Sequence, residues 1–276
     1  MRYGVERTAY LVNESRARRP ELARDPLAAA WIPNDERGGV RALWEEFAGE
    51  VYPYDDLVVS LRGRYIADTL EQALVKDPDT VLVVCGAGFS SYPWLLPFRT
   101  ALEVDLPTMV EAKRLRAAEL MDAGVIPRRD VRHLAADLGT PAGREAVAAA
   151  VREIAAGRPV AYVAEGLVFY LPPDEARAVA RFGAELDGHA VTAVSYWPAG
   201  AAGNRVLADQ RLWFRRHQVP EDASYLTHDE LPGLLGGPPV EDHGPESLQR
   251  RYLDRVEVPE SDLIPEYVAV SWGSAA

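Results

Sequence analysis

The chain has 276 residues, 48% of them apolar, and a formal net charge of −12, enough to fill the core of one large domain or two small ones. The negative balance argues against nucleic acid or an anionic membrane as partner, because phosphate binding rests on clustered positive charge, and a single cysteine, Cys85, excludes a disulfide framework. The first twenty residues carry charges throughout and no apolar run is long enough to span a bilayer, so neither a signal peptide nor a membrane anchor is expected, and a cytoplasmic location is.

Residues 5–30 read as helix, with Arg16, Arg18 and Arg19 expected on a solvated face. Residues 38–48 read as helix because Leu43, Trp44 and Phe47 share one side. In 61–74, Tyr65, Ile66, Leu70 and Leu74 recur at helical spacing. Arg62 and Arg64 stand at the predicted start of that helix, where the dipole repels cations, and their placement asks for a functional account. VLVVCGAGFSS (81–91) is a buried parallel strand running into the turn Gly86-Ala87-Gly88, whose bare N–H groups leave room for a ribose or a phosphate. Cys85, inside the strand, is expected to be an inert thiol. LEVDLP (102–107) is a second strand that places Asp105 nineteen positions after Gly86, about where a doubly wound sheet puts a carboxylate on a ribose hydroxyl. Dinucleotides and S-adenosylmethionine both fit that much. Ser91 replaces the third glycine of the dinucleotide fingerprint and Pro97 interrupts the helix a pyrophosphate needs, so a nucleoside without phosphates fits better.

Pro107-Thr108 opens the next predicted helix with a capping-box pattern, Thr108 to Glu111, and Gly124 closes it. Strand 130–136 leads to Asp137-Leu138-Gly139, and an alanine-rich helix covers 142–156. PVAYVAEGL is a fourth strand delivering Glu165 and Gly166; Pro172-Pro173-Asp174-Glu175 then opens a helix with proline and acids in its first turn. A fifth strand spans 189–196. This alternation predicts an α/β fold with a doubly wound, mostly parallel sheet. From 198 to 262 one helix is clear, about 204–217, followed by a Pro/Gly-rich stretch at 231–245; 265–273 is a final strand. The expected organisation is a single domain, 1–276, made of an N-terminal helical extension (1–60), a donor-binding sheet (61–197 and 263–276) and a lid (198–262). Glu241-Asp242-His243 has the look of a metal cluster, but no partner stands at ligand spacing, so loop-tip acids and no metal are expected.

Six pieces in this order, NESRARRPELARDPLAA (13–29), LRGRYIADTL (61–70), VVCGAGFSS (83–91), LEVDLP (102–107), AADL (135–138) and VAEGLVFYLPPDEA (163–176), resemble the leucine carboxyl methyltransferase-like family of S-adenosylmethionine-dependent methyltransferases. The resemblance runs from about residue 8 to 190 and looks closest to a bacterial branch that includes polyketide carboxyl O-methyltransferases. It implies a seven-stranded class I (Rossmann-like) sheet and S-adenosylmethionine as the donor. It also implies that Gly86, Ala87 and Gly88 lie under the nucleoside, Asp105 with Leu106 holds the ribose, and Asp137 with Leu138 holds adenine. By the same resemblance Arg62 pairs with the methionine carboxylate, and Glu165 with Gly166 lies near the ammonium. The chain departs from the family where Ser90 and Ser91 follow the glycine turn in place of the common Asp.

The chemistry agrees, since a zwitterionic end needs one cation and one acceptor and a guanidinium suits a carboxylate. Methyl transfer from a sulfonium asks the protein for positioning and exclusion of water. A carboxylate acceptor is ionised at neutral pH and needs no base, whereas a hydroxyl does. His217 and His228 are the histidines to consider, and each reads better as a surface or lid-packing residue. Tyr170 and Phe89 are candidates to face the sulfonium by cation–π contact. Trp213, Arg216 and Tyr225 are candidates to frame an apolar acceptor with an anionic group. The sequence therefore reads as an O-methyltransferase acting on a carboxylate of a small, rather apolar molecule, with a phenol or enol hydroxyl as the alternative acceptor. An NAD(P)-dependent oxidoreductase is a more distant reading, disfavoured by Ser91 and by the lack of a Tyr-x-x-x-Lys pair at Lys76 or Lys113. A domain that keeps the fold but has lost donor binding is a third.

Overall fold

The computed structural model describes residues 3–219 and 223–273; residues 220–222 of the predicted lid and 274–276 of the last sheet segment lie outside them. The first helices are α1 (Tyr3–Arg18), α2 (Pro20–Ala23), α3 (Ala28–Trp31), α4 (Arg37–Glu50) and α5 (Asp55–Lys76). The single helix expected over 5–30 is thus three. Pro20 and Pro26 interrupt it, Arg24 turns left-handed at φ 50°, and the Asp25 carboxylate caps the turn by accepting from the Leu27 N–H. Arg16 does not lie on a solvated face, being 3% exposed. Helix α5 starts six residues before the expected position, with Asp55 and Asp56 in its first turn where the dipole favours acids. Arg62 and Arg64 therefore stand well inside the helix, and the dipole argument for them does not apply.

Strand β1 (Val81–Cys85) is followed by the short α6 (Tyr92–Leu95), and then by β2 (Ala101–Asp105), α7 (Pro107–Asp122), β3 (Val131–Ala135), α8 (Pro141–Ala155), β4 (Val160–Ala164), α9 (Pro173–Glu185) and β5 (His189–Tyr196). The capping box at Thr108 does not form. Helix α7 begins at Pro107 with Leu106 ahead of it and no side-chain cap, and Glu111 instead pairs with Arg114 on the surface. After α10 (Arg205–Arg216), the Pro/Gly-rich stretch holds α11 (Leu231–Leu234) and strand β6 (Val240–His243), which is continued by α12 (Pro245–Leu253) and β7 (Tyr267–Trp272). Glu241-Asp242-His243 is accordingly an edge strand, not a loop tip. Among the described residues there is no group of ligating side chains able to hold a metal ion, and no helix is long and apolar enough to cross a membrane.

The strands form a seven-stranded sheet in the order β3-β2-β1-β4-β5-β7-β6. The first five are parallel, and β7 runs antiparallel to both β5 and β6. Strand β1 is buried on both faces, as a parallel strand under helices must be. Its side chains alternate between two cores: Leu82 and Val84 pack with α1, α4, α5 and α10, and Val81, Val83 and Cys85 with α8 and α9. The result is a doubly wound sheet whose parallel strands all end on one edge, with β7 starting from that same edge. Ligands of such sheets bind outside those carboxyl ends, where the strand order reverses.

Candidate active site

A cavity of about 840 Å³ opens at that edge. Arg62, Gly86, Ala87, Gly88, Asp105, Leu106, Asp137, Leu138, Glu165, Gly166 and Tyr170 all line it, so the residues singled out from sequence for the donor converge on one space. The turn after β1 runs through Gly86 at φ 66° and Gly88 at φ 47°, a left-handed path that glycine takes at little cost. A side chain at Gly86 would stand 3.0 Å from Leu167. Asp105, at the tip of β2, accepts from the Gly88 N–H at 2.8 Å and the Leu106 N–H at 2.7 Å, which ties the second strand to the glycine turn. Burial raises its carboxyl above the ordinary range, and the two N–H groups oppose that rise. Asp137 closes its own turn by accepting from the Gly139 N–H at 3.0 Å. Cys85, behind the turn, is pushed up to about 12 by burial and stays a thiol.

The departure from the family after the glycine turn has its own support. Lys113, buried in α7, donates to the Ser90 carbonyl at 2.9 Å and to Glu103 at 2.5 Å. Ser91 is fully buried, its hydroxyl donating to Asp25 and accepting from the Trp31 indole, both at 2.9 Å. Here the two serines fasten the turn to α7 and α3.

At the other end of the cavity lies a buried ion cluster. Glu165 accepts from Arg16 Nη2 at 2.5 Å, Arg62 Nε at 2.7 Å and the Tyr92 hydroxyl at 2.6 Å. Burial alone would raise its carboxyl, but the guanidiniums of Arg16 and Arg62 prevail and hold it at about 2. Glu266, immediately before β7, accepts from Arg62 Nη1 and, at 3.0 Å, from the Ser195 hydroxyl; burial nevertheless raises its carboxyl above the ordinary range. Arg62 Nη2 makes no hydrogen bond among the described residues and points toward Gly166, 3.7 Å from where a Cβ there would stand. Sequence reasoning missed Arg16 and Glu266, which reach the cluster from distant parts of the chain, Arg16 bonding to Glu165 and Glu266 to Arg62.

The remaining wall is largely apolar, with Leu11, Phe47, Val59, Phe169, Trp197 and Phe214 in it. Asp55 also lines it, accepting from the hydroxyls of Tyr52 and Ser15. Tyr170 contacts the rings of Phe169 and Phe214, and Phe89, also in the wall, stacks on Tyr10 at 4.7 Å. The acceptor candidates lie elsewhere. Trp213 is buried behind the wall against Phe47, Arg216 pairs with Glu50 on the surface, and Tyr225 packs on Trp197. Phe214 and Gln210 are the α10 residues that reach the cavity. His217 bonds to Glu46, and His228 to Asp242 and Tyr196, both outside the cavity.

A glycine turn under an acid-tipped second strand, on a sheet of this order, is the arrangement of class I S-adenosylmethionine-dependent methyltransferases. A solved magnesium protoporphyrin IX methyltransferase of Synechocystis PCC 6803 with bound S-adenosylhomocysteine has the same fold, with a TM-score of 0.51 at 15% identity over 84% of this chain and 93% of that one. A model of the leucine carboxyl methyltransferase family matches residues 5–183, and the chain belongs to that family. A relative in Mycobacterium avium (strain 104), named an S-adenosyl-L-methionine-dependent methyltransferase, is 30% identical over 234 residues, 78% of this chain and 73% of that protein. Another so named, in Mycolicibacterium vanbaalenii, is 35% identical over 125 residues, so the match spans 38% of that relative's length.

Proposed function

We propose that this S-adenosylmethionine-dependent methyltransferase is an O-methyltransferase that converts a carboxylate of a small, rather apolar molecule, of the kind made in bacterial secondary metabolism, into a methyl ester. The observation that carries this reading is the make-up of the wall: aromatic and aliphatic beyond the ion cluster, with no histidine, lysine or cysteine in it among the described residues. A carboxylate acceptor needs no base, so a site that supplies only shape and dryness suffices. Asp55, opening into the same wall, favours a second reading in which it takes the proton of a phenol or enol hydroxyl.

The cavity fits the donor at each end. Asp105 keeps lone pairs for ribose hydroxyls, Asp137 and Leu138 border the space for adenine, and Arg62 Nη2 is placed for a carboxylate. When bound, S-adenosylmethionine supplies a methyl group already activated by its sulfonium. The chain's own residues hold the reactants in line and exclude water: Leu11 and Phe47 from the N-terminal extension and Phe214 from the predicted lid wall off the acceptor end, and Tyr170 offers an aromatic face to positive charge. Nothing in this wall suits a polyphosphate, and nucleic acid is not expected as substrate.

Calorimetry with S-adenosylhomocysteine and with NAD tests the donor, and binding of the first without the second is expected. For the acceptor, the enzyme is supplied with S-adenosylmethionine and a panel of aryl and alkyl carboxylic acids and phenols. Products that mild alkali hydrolyses are esters; stable ethers would favour the second reading. Asp55→Asn then separates the two again, leaving turnover of an acid within about tenfold while lowering that of a phenol by roughly 10²–10⁴.

A further inference from the structure

Given the donor reading above, on which this inference rests, we propose that Glu266, outside the residues the family model matches, is the carboxylate that receives the donor's ammonium, and that Glu165 is the clasp that fixes the two arginines. The amino and carboxylate groups of an amino-acid end sit on one carbon. An acceptor for the ammonium must therefore lie beside the cation that takes the carboxylate. Arg62 is that cation, its Nη2 unbonded among the described residues and next to Gly166, and two carboxylates touch it: Glu165 at Nε and Glu266 at Nη1.

The two differ in what they have left to give. A carboxylate has about four acceptor positions. Glu165 already accepts from Arg16, Arg62 and Tyr92, so most of its acceptor positions are filled and two guanidiniums balance its charge. Both carboxylates line the cavity, but Glu266 accepts only from Arg62 and from one neutral hydroxyl, that of Ser195, among the described residues. Charge balance points the same way. Glu165 lies between two guanidiniums, whereas Glu266 touches one that it must share with Glu165. A buried carboxylate with half a partner is costly, and an arriving ammonium supplies what is missing. Ser195 holds the group in place from the opposite side: its hydroxyl donates to Glu266 Oε1 and accepts from the Gly166 N–H at 2.8 Å, linking Glu266 to the end of β4. The donor's amino-acid end would then be recognised by β4, α5 and the start of β7 together, the last lying outside residues 5–183.

The test is calorimetry on wild-type protein and Glu266→Gln with three probes: S-adenosylhomocysteine, its deamino analogue lacking only the ammonium, and 5′-methylthioadenosine, which lacks the whole amino-acid end. In the wild type the deamino analogue is expected to bind about 10- to 100-fold more weakly than S-adenosylhomocysteine. Glu266→Gln should weaken S-adenosylhomocysteine by a similar factor, leave the deamino analogue within about threefold, and leave 5′-methylthioadenosine unchanged, which also shows that the variant is folded. Equal weakening of all three probes, or none, overturns the proposal. If Glu266→Gln does not fold, Ser195→Ala, which removes one bond to Glu266, is measured with the same probes, and loss confined to S-adenosylhomocysteine is again expected. Failure of the wild type to bind S-adenosylhomocysteine at all would instead overturn the donor reading.

Discussion

Asp105 and Glu165 illustrate two jobs a buried carboxylate can do in one cavity. Asp105 accepts from two backbone N–H groups and keeps lone pairs free. In its proposed role as ribose ligand it would make charge-assisted bonds, so Asp105→Ala should cost about 1.5–3 kcal/mol of S-adenosylhomocysteine affinity, about one to two orders of magnitude in Kd. The same loss is expected for 5′-methylthioadenosine, because the ribose is common to both. An unchanged Kd for either would move the ribose elsewhere. Glu165, the clasp in the proposal above, bears on stability instead. Removing one member of a buried ion cluster leaves the others unpaired, and Glu165→Gln should cost about 3–5 kcal/mol at pH 7 in urea unfolding. Its folded carboxyl titrates at about 2, below the ordinary 4.5. The contribution is thus complete above pH 4.5 and lost as pH falls through 2. The gap between wild type and variant should accordingly be steady from pH 8 to 5 and narrow below 4.5; a gap that stays constant down to pH 3 would mean that Glu165 is not held ionised by its arginines.

The elements around Asp137, where adenine is proposed to lie, are locked by close approach. Helix α8 opens under the turn that carries Asp137: the Thr140 hydroxyl donates to the Asp137 carbonyl at 2.8 Å and accepts from the Gly143 N–H at 3.0 Å. A Cβ on Gly143 would lie 1.9 Å from that carbonyl oxygen, too near for backbone to tolerate. Gly143→Ala should therefore push the turn outward and weaken 5′-methylthioadenosine about tenfold, the worth of roughly one hydrogen bond, even though alanine is the better helix former. Unaltered affinity in that variant would place adenine away from α8. Elements of this kind were legible in the sequence where their signals are local. The glycine turn, Asp105, Asp137 and Glu165 each follow an apolar strand directly, and a strand's end fixes where its next residue goes. Arg16 was not legible, because a charged residue among charged neighbours looks solvated until α5 and the sheet edge are laid beside it. Glu266 stands 204 residues from Arg62, with no local pattern to join them. Strand β6 and helix α12 were hidden for a different reason: prolines and glycines just ahead of them read as loop, and β6 is held by pairing with β7 rather than by its own composition.

Across the molecule, one cavity gathers residues from α1, α4, α5, the strand ends and the start of β7, so a ligand there joins the N-terminal extension to the sheet. Its charged lining is also unequal: Asp55, Asp105, Asp137, Glu165, Glu175 and Glu266 against Arg16 and Arg62. That excess of acid matches a donor bearing a sulfonium and an ammonium against one carboxylate. A ligand that binds only the folded state stabilises it by RT ln(1 + [L]/Kd), about 2.7 kcal/mol at one hundred times Kd. For a chain of this size each kcal/mol moves the Tm by about 2–4 °C, so saturating S-adenosylhomocysteine should raise the Tm by about 5–10 °C, within one cooperative transition, while NAD should leave it in place. Since the described residues offer no metal ligand set, the shift is expected to be the same in excess EDTA. A shift that EDTA abolishes and a divalent ion restores would show that donor binding runs through a metal, and the positioning mechanism built on Arg62, Asp105 and the apolar wall would have to give way to one in which the ion orients the reactants.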